Sequence, residues 1–193
     1  ARNWLYDGSL KQGKFPFANL IEANLNSADL KRAFLVNADL KGAFLNHANL
    51  ELSNLAGANL ENAIMSDVCL KGAKLMGANL KNTLLANANL SHASLIGADL
   101  GRSNLLGADL THCNLTDANL SGADLFGCDL SNAILKGAFV SSFYSFVSSD
   151  NEADEQIAKA KTLAHALMPD GKVYDPEIHI KIAKLRRDAG FDN

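Results

Sequence analysis

Ala78-Asn79-Leu80-Lys81-Asn82-Thr83-Leu84-Leu85-Ala86-Asn87-Ala88-Asn89-Leu90 carries a leucine at every fifth residue, with a small or slim residue two places before each. Followed in both directions, that register runs unbroken from Leu10 to Val140. All 27 of its positions are apolar, and 24 are leucine; Phe15, Met65 and Val140 are the exceptions. The residue two places earlier is usually alanine, as at Ala18, Ala23, Ala28 and Ala33. Elsewhere Gly13, Ser53, Val68, Thr83, Ser103, Cys113 and Cys128 fill that position.

A period of five suits neither a helix at 3.6 nor a strand at 2.0. On a straight helix each step of five turns the leucine by about 500°, so the leucines would spread round the whole surface. The many interior glycines and asparagines are also poor helix residues. The period suits a chain that turns a corner every five residues. Four corners close a coil of 20 residues, and coils stacked about 4.8 Å apart bring each leucine onto the leucine 20 residues away. With four corners to a coil, a number the period alone does not fix, the repeat makes an all-β solenoid of six to seven coils.

The triplets Ala18-Asn19-Leu20, Ala28-Asp29-Leu30, Ala58-Asn59-Leu60, Ala98-Asp99-Leu100 and Ala123-Asp124-Leu125 resemble the pentapeptide-repeat family, whose motif is Ala-(Asp/Asn)-Leu-X-X. The resemblance covers roughly 70% of the chain. It implies a right-handed quadrilateral β-helix with the leucine and the small residue pointing inward, of the uninterrupted kind abundant in cyanobacteria. It also implies a candidate activity, because some family members resemble duplex DNA in width and negative potential and bind type II topoisomerases. This chain departs from that pattern. Up to Val140 it holds 11 basic and 12 acidic residues, and no projecting loop interrupts the register.

The residues just before the leucines show a second period, of ten. Asn19, Asp29, Asp39, Asn49, Asn59, Asn79, Asn89, Asp99, Asp109, Asn119 and Asp129 fall on one alternate pair of faces. The other pair carries Phe34, Phe44, Ile64, Leu84 and Ile134 among polar residues. One apolar ridge is therefore expected through Phe44, Ile64 and Leu84, drifting across the same face to Leu106 and Phe126. A second is expected opposite it, through Phe34, Val36, Ala56, Met76 and Ile96. Exposed apolar stripes of this kind mark docking surfaces. Charge is uneven as well: residues 1–81 carry a net of +2 and residues 82–135 a net of -4.

After Val140 the register fails, and Ser145 occupies the next core position. Ile157, Ala160, Ala164 and Leu167 sit at spacings of three and four, as do Ile178, Ile182, Leu185 and Ala189, predicting two amphipathic helices. The expected division is a repeat domain over 1–147 and a helical segment over 148–193 that caps the solenoid end.

Little in the chain points to chemistry. His92 and His112 stack on adjacent coils, but their column offers no third ligand, so no metal site is expected. Cys113 and Cys128 occupy inward positions and act as space fillers, while Cys69 points outward. There is no Gly-rich phosphate loop before a helix, and a filled rod offers no deep pocket. The chain is expected not to be an enzyme and to need no cofactor. Near-neutral charge and the lack of a long apolar run exclude broad nucleic-acid binding and membrane insertion as functions. The first residues show no signal-peptide pattern, which predicts a cytoplasmic protein. The reading is a structural scaffold or protein-interaction module whose partner is another protein or a second copy. Its alternatives are a DNA-mimicking regulator of a type II topoisomerase, or a regulatory or targeting module of a larger bacterial protein.

Overall fold

The computed structural model describes residues 10–139. Parallel backbone bridges join residues 20 apart throughout that span, from Lys14 with Phe34 to Asn119 with Phe139. They form four columns, running through Phe34, Asn54 and Lys74; through Asp39, Asn59 and Asn79; through Phe44, Ile64 and Leu84; and through Asp29, Asn49 and Cys69. The chain is a β-rich solenoid that regains the same column after four five-residue segments. Each bridge involves one residue, directly before the core position, and turns take up two of the other four in each segment.

Five residues suffice for one side because each of the five N–H groups has a destination. In the segment Asn49–Ser53, the Asn49 N–H donates to Ala28 O on the preceding coil at 2.9 Å. The Leu50 N–H donates to Cys69 O on the following coil at 2.7 Å, and the Leu52 N–H to Lys71 O at 2.9 Å. The Ser53 N–H closes the turn onto Leu50 O at 3.0 Å. The fifth, on Glu51, donates to the side chain of Asn49, N to Oδ1 3.1 Å. An unpaired backbone donor is costly where the wall shields it, so an Asn or Asp before the leucine serves the backbone. The same bond runs from Lys31 to Asp29, Glu61 to Asn59, Thr111 to Asp109 and Ser131 to Asp129.

The turns explain the two remaining positions. Every third turn residue from Gln12 to Gly137 has a φ between 54° and 72°. Apart from glycine, the residues there are largely Asn, Asp and His, the types that best tolerate the left-handed region.

The core positions from Leu30 to Leu135 are at most 2% exposed. Only at the first described coil is the core open, where Phe15, Ala18, Leu20 and Ala23 are partly buried. Hydroxyls and thiols buried at the small position need hydrogen-bond partners, and three have them. Thr83 Oγ1 donates to Leu80 O at 2.7 Å, Cys113 Sγ to Leu90 O at 2.7 Å and Cys128 Sγ to Leu105 O at 2.8 Å. Ser53 Oγ and Ser103 Oγ are buried with no partner among the described residues. The predicted helices around Ile157–Leu167 and Ile178–Ala189, and the boundary at 147/148, lie outside the described residues.

Candidate protein-interaction surface

The bridges place Phe44, Ile64 and Leu84 on consecutive coils of one side. Phe44 and Leu84 are exposed and Ile64 is half-buried. Leu106 and Phe126 continue the line on the next two coils of that side, one turn position further on, and both are exposed. At about 4.8 Å per coil the ridge is about 19 Å long. On the opposite side Phe34, Met76 and Ile96 are exposed, while Val36 and Ala56 between them are half-buried.

The drift of the first ridge has a cause in the backbone. Where Phe44 and Ile64 replace the usual Asn or Asp, the first turn N–H loses its local acceptor. It is met instead from the coil before: Asn46 N–H donates to Asn26 Oδ1 at 2.9 Å, and Ser66 N–H to Asn46 Oδ1 at 3.0 Å. Further along, Asn104 and Asp124 stand before the leucine, and their Oδ1 atoms accept from the N–H groups of Leu106 and Phe126, each at 3.0 Å. At four of the five ridge coils one polar side chain thus serves the first turn donor, Asn26 and Asn46 from the coil before and Asn104 and Asp124 from the same coil. At those coils the apolar side chains of Phe44, Ile64, Leu106 and Phe126 take the position that the polar residue does not. The service of Asn26 and Asn46 to the backbone is visible only once residues 20 apart are known to be neighbours.

Charged residues form ladders between coils. Lys31 lies 2.5 Å from Glu51 and Lys41 3.0 Å from Glu61, as the column order predicts, while Lys81 lies 3.0 Å from Asp99. The hydrogen bond from Lys31 holds the Glu51 carboxyl below its ordinary range. These pairs are exposed enough for solvent to screen most of their energy. Amide ladders add to them, with Asn79 Nδ2 donating to Asn59 Oδ1 and Asn59 Nδ2 to Asp39 Oδ1.

His92 and His112 stack with ring centroids 4.8 Å apart and planes 1° from parallel. Among the described residues no three His, Cys, Asp or Glu side chains gather as a metal site. Burial pushes the Cys113 and Cys128 thiols up to about 12. A polar depression of about 370 Å³ lies at one corner, lined by Lys81, Asn82, Gly101, Arg102, Asn119 and Ser121. It forms where the ladder of long side chains in that column breaks at Gly101. No helix of the described residues is long and apolar enough to cross a membrane.

A family model of pentapeptide repeats matches this chain in overlapping stretches that extend from residue 18 to residue 141. Among solved structures, HetL, a pentapeptide repeat protein involved in heterocyst differentiation regulation from the cyanobacterium Nostoc sp. strain PCC 7120, is 30% identical. That alignment covers 83% of this chain and 78% of HetL, with a TM-score of 0.35. Rfr23 from the cyanobacterium Cyanothece 51142 is 31% identical over 67% of this chain and 84% of its own, with a TM-score of 0.26. Full-length QnrB1, a plasmid-mediated fluoroquinolone resistance protein, is 16% identical over 90% of this chain and 99% of its own, with a TM-score of 0.28. A search of curated proteins gives no match. The chain belongs to the pentapeptide-repeat family, and it is a non-enzymatic protein-interaction module of that family.

Proposed function

We propose that this protein is a docking scaffold that meets its partner through the ridge of Phe44, Ile64, Leu84, Leu106 and Phe126. The observation that carries this reading is the continuity of the ridge. Five apolar side chains follow one another over five coils of one side, and at four of those coils the first turn donor is met by Asn26, Asn46, Asn104 or Asp124. Apolar surface at these positions adds nothing to the buried core, and covering it releases about 25 cal/mol per Å². The architecture that presents it is a right-handed quadrilateral β-helix of six to seven coils over residues 1–147, capped by a helical segment over 148–193. The 20-residue spacing of the bridges supports the first part, and the apolar periodicity after Asn151 the second.

The test replaces Leu84, Leu106 and Phe126 together by serine in the full chain and compares the proteins each immobilised form retains from native extract. The triple variant is expected to melt like the native chain and to lose the partner. Retention of the same partners at the same affinity removes the ridge as the docking surface.

A second reading, regulation of a type II topoisomerase by DNA mimicry, is favoured by one feature. Asp99, Asp109, Asp117, Asp124 and Asp129 face a single basic residue, Arg102, over residues 82–135. Such a run sets up a negative surface on one part of the rod. A supercoiling assay on DNA gyrase separates the readings, because unaffected supercoiling at micromolar protein eliminates the mimic and leaves the ridge untouched.

A further inference from the structure

We propose that His92 and His112 form an open two-imidazole site for a divalent late first-row transition-metal ion on one edge of the solenoid. The rings stand 4.8 Å apart and parallel within 1°. Their backbones are fixed from the neighbouring coils, His92 N–H donating to Thr111 O and His112 N–H to Ser131 O, each at 2.9 Å. Both residues hold the same left-handed turn conformation, with φ of 59° and 57°, so the two side chains leave adjacent coils in the same direction. Both are exposed, which leaves the remaining coordination positions to water. Gly72 stands at the same turn position on the coil before and adds no side chain to that end of the column.

Imidazole nitrogen is the side-chain donor that nickel, copper and zinc share. A single ion takes each nitrogen at about 2.0–2.1 Å, so two cis donors lie roughly 3 Å apart. Starting from parallel stacked rings, both rings have to tilt toward the ion, by roughly 45° each for a cis pair, so that their in-plane lone pairs converge and the donors close by about 1 Å each. Rotation of exposed side chains supplies this while the backbone stays in place. The scaffold presents the second imidazole at high effective concentration once the first has bound. A closed structural site would need further protein ligands, and among the described residues no cluster of three supplies them. An open site needs only this pair.

The experiment titrates nickel chloride into the untagged full chain at about pH 7.5 and follows the heat of binding. Variants His92→Asn, His112→Asn and His47→Asn are compared, since asparagine tolerates the left-handed φ at all three positions. One ion per chain is expected, with affinity falling by about tenfold or more in each of His92→Asn and His112→Asn, because either change turns a chelate into a single contact. His47→Asn is expected to bind as the native chain does. Absence of saturable binding by the native chain overturns the site. So does equal affinity in the native chain and His92→Asn, or a matching loss in His47→Asn. Thermal melting of each variant accompanies the titration, and the double variant His92→Asn/His112→Asn must melt as the native chain does while binding no ion at this affinity.

Discussion

Asn46 shows how much a surface amide does in this molecule. Its own N–H is met by Asn26, and its Oδ1 in turn accepts from Ser66, because Ile64 stands where an Asn or Asp would otherwise serve that donor. Asn46→Ala is expected to destabilise the chain by about 0.5–2 kcal/mol, the range for losing a side-chain cap, and Asn46→Asp to keep most of that stability. Urea unfolding of the two variants measures it. The buried thiols behave differently. Burial raises Cys113 and Cys128 from 9.0 to about 12, so between those values the folded chain keeps protons that the unfolded chain gives up. Both states are protonated below about pH 9, and the thiols then have no effect; above it their contribution falls as pH rises toward 12. The urea midpoint is expected to drop above about pH 9, and to drop less in Cys113→Ala/Cys128→Ala. Their inward placement was legible from the five-residue register, whereas the carbonyls that accept from them lie 23 residues away and were not.

The element that repeats is one wall residue pair plus one turn, and the turn sets its limits. Gly57 and Gly77 occupy the same turn position with φ of 67° and 64°. A Cβ on Gly57 would run into Oδ1 of Asn37 on the preceding coil, whereas a Cβ on Gly77 would find no heavy atom within 4 Å among the described residues. Both alanine substitutions carry the left-handed penalty of about 1–2 kcal/mol. Gly57→Ala is expected to lower the melting temperature further than Gly77→Ala, because Asn37 must also shift. Equal losses in a melting comparison would mean that the contact with Asn37 is immaterial. The turn role of these glycines was readable from spacing alone. Their inequality was not, since it depends on which side chain lies one coil below.

At the scale of the whole molecule the solenoid behaves as a one-dimensional stack, where each coil draws its stability from its neighbours. Leu75 lies mid-stack and is fully buried, while Leu20 belongs to the first described coil and is only partly buried. Leu75→Ala is expected to cost about 2–5 kcal/mol in urea unfolding, and Leu20→Ala distinctly less. Near-equal costs would contradict a stack whose described end is open.

The sequence by itself determined the register, the inward set, the absence of an ordinary helix or strand within the five-residue repeat, and the two-sided distribution of apolar residues. Those follow from a short period that every coil repeats, so local spacing carries them. Only the tertiary structure decided what the outward residues do. Asn26 and Asn46 relieve a backbone donor on the next coil, Asn104 and Asp124 relieve one on their own, and the apolar ridge runs through the positions left over. The roles of Asn26 and Asn46 depend on contacts between residues 20 apart, which spacing suggests and only the closed coil brings within hydrogen-bonding distance.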